Sequence, residues 1–322
     1  MTGKGIGYGK TILFGEHFVV YGLSAVASAI SNITIAEVQG MKKTNIGKEF
    51  IPGLELIDNR LSVEGYKIKK RGEMERSFDL MFRFMKIDLQ KTPLKITLSG
   101  NLKCASGIGA SAAFASAVAR ALNEHFSLGL NDEQINEIAY EGEKGSAGNP
   151  SGIDNTCSTY GGFLVFEKNL DGGKNKIELI DVAKPLRIVL ASTGITQETK
   201  EIVAVIKKLR SENKEKYEQM FLDYHEIFDS AIDSLKSGNE KKLGVLMDKN
   251  MELLREMTLS CSEIEKIISA AKQNGALGAK LTGTGRGGLV ICLVPDETTQ
   301  EKVAKAVSEA GFEAAKTELG KK

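Results

Sequence analysis

The sequence predicts an α+β protein of two domains, and three observations carry that expectation. The chain has 322 residues, about two domains at a rough ~150 residues each. Its first half reads mostly as short β-branched and aromatic runs with a few helices, and its second half mostly as amphipathic helices. The texture changes near Pro185, which sets the expected division into domains 1–185 and 186–322.

Taken in order, residues 11–13 and 18–21 read as strands, and nothing before Lys10 has a strand-like pattern. The basic run Lys67, Lys69, Lys70, Arg71, followed by Glu73 and Glu75, reads as a solvated loop. Residues 94–98 alternate Leu, Lys, Ile, Thr, Leu, the pattern of a half-buried strand. Residues 111–126, rich in Ala, read as a helix. A second helix starts near Asn131 or Asp132, either of which can cap it, and runs to about Lys144. Residues 162–166 and 177–180 read as further strands. In the second half Ile202 and Ile206, Met220 and Tyr224, Leu243 and Met247, and Ile264 and Ile268 recur at helical spacing. Residues 289–294 form an apolar strand closed by Pro295, and residues 300–310 a last amphipathic helix.

Composition excludes several classes of function. Lys and Arg number 43 against 42 Asp and Glu, so the net charge of +1 leaves no electrostatic footprint for nucleic acid or for an anionic membrane. No stretch reaches ~18 uninterrupted apolar residues, the length that spans a bilayer. Cys104, Cys157, Cys261 and Cys292 lie far apart, without metal-finger spacing, and read as reduced thiols of a cytoplasmic protein. The three histidines form no nucleophilic triad; His125 and His225 fall on expected helices and read as structural. The amphipathic helices can pack internally or against a second copy of the chain, so a homodimer is compatible with them.

Glycine is the unusual residue. The chain has 34, where an average of about 7% gives roughly 23. The excess clusters in four segments, and such clusters mark sharp turns or close approach of backbone to a ligand. In the segment from Gly100 to Ala113, Gly107 and Gly109 precede the Ala-rich helix. Inward-turned N–H groups and the positive end of that helix suit a phosphate; a plain strand–helix turn is the other reading. Ser111 could cap the helix or hold a metal ion.

The segment from Gly3 to His17 nearly matches a Walker A loop, but Lys10 leads into a strand rather than a helix, so a P-loop is rejected. The segment from Ala139 to Asn155 carries Glu141 and Glu143 on a helix that ends in a Gly/Pro/Ser loop, on which Asp154 either shapes a turn or accepts a proton. The segment from Lys280 to Gly288 satisfies a G-x-G-x-x-G string, but with a helix before it and a strand after it, the reverse of a dinucleotide site.

In this order the four segments resemble the motifs of the GHMP kinases, and among them the mevalonate kinases. The carriers are Lys10–Gly22, Ser106–Ala113, Glu143 with Gly148–Asn155, and Lys280–Gly288. The spellings Gly-Ile-Gly-Ala-Ser and Gly-Thr-Gly-Arg-Gly-Gly are most similar to the trypanosomatid type. The resemblance covers nearly the whole chain.

It implies the two-domain GHMP kinase fold. The N-terminal domain would be mixed β/α and bind nucleotide, and the helix-rich C-terminal domain would have a ferredoxin-like core. The active site would lie in the cleft between them. It implies transfer of the γ-phosphoryl group of ATP, with Mg²⁺, to the terminal hydroxyl of mevalonate. By position, Asp154 and Lys10 match catalytic residues. Ser106, Gly107, Ile108, Gly109, Ala110, Ser111 and Ala112 match the phosphate loop, and Ser111 and Glu143 the Mg²⁺ ligands. Lys10, Glu16, His17, Gly152, Asp154, Thr199 and Thr284 match the substrate side.

The chain departs from the family spelling at Lys103, Ala105 and Ala110 in the phosphate loop, at Gly7-Tyr8 before Gly9-Lys10, and at Arg286. Arg286 could reach a phosphate or carboxylate, or point to solvent. The same motifs also serve a phosphomevalonate kinase, another small-alcohol kinase, a decarboxylase relative or a non-catalytic regulator. The presence of Lys10, Asp154, Ser111 and Glu143 weighs against the regulator.

Overall fold

The computed structural model describes residues 2–42, 50–104, 107–197 and 199–320. Within them the chain divides into two compact units that are interleaved in sequence. One is built from Met1–Lys10 and Ala29–Gly161, the other from Thr11–Ser28 and Gly162–Lys321. Residues 11–28 of the N-terminal segment belong to the second unit.

In the first unit, β1 (Thr2–Phe14) pairs with β2 (Ala25–Gly40), and β2 pairs antiparallel with β4 (Leu94–Gly100) from Thr34↔Gly100 to Gly40↔Leu94. β3 (Leu54–Asp58) lies parallel to β4. Helices α1 (Tyr66–Lys69), α2 (Arg71–Phe84), α3 (Ala110–Phe126), α4 (Asp132–Ala147) and α5 (Ile153–Tyr160) complete the unit. The core joins Val38, Leu94, Ile96 and Leu98 of the sheet to Phe78 and Met81 of α2, Phe114 and Val118 of α3, and Ile135 and Ile138 of α4. α4 starts at a capping box between Asn131 and Gln134, which settles its cap.

The early glycines serve packing. A Cβ on Gly3, Gly5 or Gly7 would come within 2.1–2.2 Å of the backbone oxygens of Ala121, Ala117 and Ala113. Glycine at alternate positions of β1 therefore lets α3 lie directly on the strand, with no side chain between. That overturns the expectation that nothing strand-like precedes Lys10: glycine carries no hydrophobicity, so it hides the period of two.

The second unit contains β5 (Phe163–Glu167), paired antiparallel with residues 25–28 of β2 and with β6 (Lys176–Ile180). Its main sheet comprises β7 (Leu186–Ser192), β8 (Gly278–Thr282), β9 (Leu289–Leu293) and β10 (Glu313–Leu319), in the order β10-β7-β9-β8 and antiparallel throughout. Helices α6 (Thr199–Glu212), α7 (Lys214–Ser237), α8 (Glu240–Glu256) and α9 (Ser262–Gln273) fill the first crossover, and α10 (Glu297–Glu309) the second. This is the order of a ferredoxin-like βαββαβ sheet, as expected.

Four local expectations are corrected. Residues 18–21 form a 3₁₀ turn, not a strand, because His17 (φ 62°) and the flanking Gly15 and Gly22 in left-handed backbone curl the chain, and Val19 N–H bonds back to Gly15 O at 3.0 Å. The charged run at 67–75 is not a loop but α1 and the start of α2, whose other face buries Phe78, Met81 and Phe82; its Lys70–Glu73 and Arg71–Glu75 pairs are the solvated side. Asp154 sits in the first turn of α5 rather than on a loop. The loop at 283–288 is preceded by β8, not by a helix, so it joins two antiparallel strands. Among the described residues, no helix is long and apolar enough to cross a membrane.

Candidate active site

The first unit gathers the glycine turn before α3 with Lys10, Ser111, Glu143 and Asp154. Gly107 and Gly109 both have φ 73°, and Gly109 is the N-cap of α3. The first helical bond runs from Ala113 N–H to Gly109 O at 3.0 Å, so the N–H groups of Ala110, Ser111 and Ala112 lie ahead of it. Among the described residues no side chain caps this end. That removes the Ser-cap reading and leaves an open, positive helix terminus. Ser106 lies outside the described residues.

Lys10 lies against the same loop. Its N–H bonds to Ile108 O at 2.8 Å, and a Cβ on Gly109 would stand 2.8 Å from the Lys10 Cγ. A side chain at 109 would crowd the lysine stem and strain the left-handed backbone there. Lys10 Nζ is 3.0 Å from Asp154 Oδ1, with side-chain exposures of 13% and 34%. Burial is the largest single influence and works against the lysine charge, but the attraction and hydrogen bond of Asp154, with Glu143 and Cys157 adding, together outweigh it, and the Lys10 pKa is raised.

α5 is held on three sides, which fixes Asp154. Ser158 Oγ donates to Tyr8 O at 2.7 Å, Asn155 Nδ2 donates to Asn136 Oδ1 at 2.8 Å, and Thr159 Oγ1 lies 3.0 Å from Ser116 Oγ. Gly152 is its N-cap, with φ 94°. Glu143, on α4, is buried and hydrogen-bonded by Ser111 and Ser146. Burial, with Asp154 nearby, pushes its pKa up to about 7 against the pull of those bonds and of Lys10. A carboxylate and a hydroxyl joined in this way are hard oxygen donors, the set that Mg²⁺ takes.

The second unit gathers a different set. His17 Nε2 is 2.6 Å from Thr284 O, and since a carbonyl only accepts, the nitrogen donates. Thr284 Oγ1 lies 2.9 Å from Thr199 Oγ1. Burial lowers the His17 pKa and the nearby Arg286 charge adds to this, against the bond to Thr284, so folding favours the neutral ring. Arg286 neither dangles in solvent nor stands free: its Nε and Nη2 donate to Thr258 O and Oγ1 at 2.9 and 2.8 Å. Glu16 is not open to a small molecule. Its side chain is 0% exposed and pairs with Lys280 Nζ at 2.6 Å. The sequence pattern assigns Lys280 no role, and the signal that marks it is a lysine on the apolar approach to a glycine loop.

The family models for the GHMP kinases N terminal domain and the GHMP kinases C terminal match residues 74–162 and 231–313. The chain is 32% identical to a protein named mevalonate kinase from Pyrococcus furiosus, over 97% of this chain and 94% of that one. Among solved structures it is similar to L. major mevalonate kinase in complex with R-mevalonate, with a TM-score of 0.91 and 36% identity over 99% of this chain and 96% of that one. Streptococcus pneumoniae phosphomevalonate kinase shares the fold, at a TM-score of 0.73 and 16% identity over 99% of each chain.

Proposed function

The chain belongs to the GHMP kinase family, and from that membership we propose that it transfers the γ-phosphoryl group of ATP to the terminal hydroxyl of mevalonate, giving 5-phosphomevalonate and ADP. The observation that carries this reading is the Lys10–Asp154 pair at 3.0 Å, with Lys10 bonded to the Gly107–Gly109 turn that opens α3. The matched segments support assigning 1–185 and 186–322 to the N- and C-terminal family domains.

In this reading the phosphates of ATP take the N–H groups of residues 107–112 at the end of α3. Asp154 accepts the proton of the acceptor hydroxyl, the oxygen bonds to the γ-phosphorus, and the bond to the β-phosphate oxygen breaks. Lys10, kept protonated by Asp154, stabilises the negative oxygen while it forms. Ser111 and Glu143 would hold Mg²⁺, which supplies neutralisation of phosphate charge when bound. By their place in the family motifs, Glu16, His17, Gly152, Thr199 and Thr284 belong to the acceptor side of the reaction.

The free thiols of Cys104, Cys157, Cys261 and Cys292 support a reducing, cytoplasmic location. A homodimer stays within the reading, and sedimentation velocity decides it. The function is tested by ADP release with Mg²⁺ and ATP, run side by side with mevalonate and phosphomevalonate. Turnover with mevalonate alone supports the reading. Turnover with phosphomevalonate alone keeps the chemistry and changes the acceptor.

A further inference from the structure

Glu16 and His17 are consecutive residues of one turn, and both are tied to one segment, β8 with the loop after it. Glu16 Oε1 accepts from Lys280 Nζ at 2.6 Å, and His17 Nε2 donates to Thr284 O at 2.6 Å. Lys280 also donates to Leu281 O at 2.8 Å, so its ammonium is fixed on the strand that carries it. Thr282 Oγ1, between the two anchor points, donates to Ile12 O at 2.8 Å. The turn is strained, since His17 holds φ 62° in a region that glycine favours. Such a turn persists only where its surroundings fix it.

Both charges are sealed from water, at 0% side-chain exposure. A sealed ion pair is a poor source of net stability, because desolvation offsets the attraction. It is a directional, charge-assisted bond, however, and sets registry better than apolar packing does. The acceptor has no route to the Glu16 carboxylate, so a role for Glu16 in the reaction must run through what it holds.

We propose that the Glu16–Lys280 pair is a positioning device: it holds the turn that places His17 on Thr284, and Glu16 itself makes no acceptor contact. The link from His17 and Thr284 to the acceptor rests on the proposed function; the link from Lys280 to His17 does not.

The test uses the full-length protein with Glu16→Gln, Lys280→Met and the milder Glu16→Asp. Glu16→Asp keeps the charge and shortens its reach, and so covers the case in which the first two do not fold. Imidazole NMR of His17, assigned by its loss in His17→Asn, reads the Nε2–H tautomer and its hydrogen bond whatever the acceptor is. Steady-state kinetics read KM for mevalonate and for ATP.

The expected result is a shifted His17 signal in every folded variant. KM for mevalonate should rise ~10- to 100-fold, the scale of a misplacement of about 1 Å, with KM for ATP within about twofold. Unchanged His17 signals in folded Lys280→Met or Glu16→Asp overturn the proposal. So does a kinetic defect in Glu16→Gln that Lys280→Met does not share. If the wild-type enzyme leaves mevalonate untouched, the functional reading fails by itself, and the His17 signals still decide this inference.

Discussion

Lys10–Asp154 and Lys280–Glu16 are the same chemistry in two settings. Each is a lysine ammonium against a carboxylate, at 3.0 and 2.6 Å. In the first pair the side chains keep 13% and 34% exposure; in the second both keep 0%. The lysines respond in opposite directions. Burial opposes both charges, but at Lys10 Asp154 with the neighbouring Glu143 and Cys157 outweighs it and the pKa is raised, whereas at Lys280 burial prevails over Glu16 and the pKa is lowered. The difference is access to water. A pair with an open carboxylate can exchange a proton with a substrate. A sealed pair can only hold two pieces of chain together.

The largest effect expected from this contrast is on turnover. Asp154→Ala should lower kcat by ~10²-fold or more, the scale of a lost general base, with ATP binding largely intact. Single-turnover kinetics and nucleotide titration measure the two separately. Near-normal turnover would remove Asp154 from the mechanism and with it the chemical half of the contrast.

The next effect is on stability, and here the pairs should exchange rank. Lys280→Met leaves the Glu16 carboxyl in a dry site without the lysine charge opposite it, and removing one member of a buried pair costs about 3–5 kcal/mol. Asp154→Ala leaves Lys10 with part of its side chain in water and should cost clearly less. Urea denaturation of both variants settles the order. Equal losses would mean that exposure does not separate the two pairs.

The same contrast explains what was legible in the sequence. Taken singly, Gly107, Gly109, Ser111 and Asp154 leave structural readings open; they and Glu143 become legible through the resemblance of the ordered motifs, and the structure brings Ser111, Glu143, Asp154 and Lys10 together. The helix-rich second half was readable because α6 to α9 keep a helical apolar period. β2 was not readable: its residues 25–30 are buried on both faces and show no alternation. β1 was hidden by the glycines that let α3 approach. The burial of Glu16 was hidden because its partner lies 264 residues away, and nothing near it in sequence distinguishes a sealed carboxylate from an open one. Local pattern reveals chemistry that is local, and this site's supports are not.

The smallest effect concerns pH and carries the argument about water to a third group. His17 is buried, and burial, with the charge of Arg286, holds its pKa below the ordinary 6.5 despite its bond to Thr284 O. The folded protein therefore binds fewer protons at this ring than the unfolded chain does. Its contribution to stability is complete above about pH 6.5 and is lost as pH falls from there toward the lowered folded value. His17→Gln retains an N–H donor but cannot titrate, so its urea midpoint should fall less than the wild type's between about pH 7.5 and about pH 5.5. Parallel pH dependence in the two proteins would mean that the ring titrates freely when folded. Water would then reach the turn, and the seal around Glu16–Lys280 would end one residue short of His17.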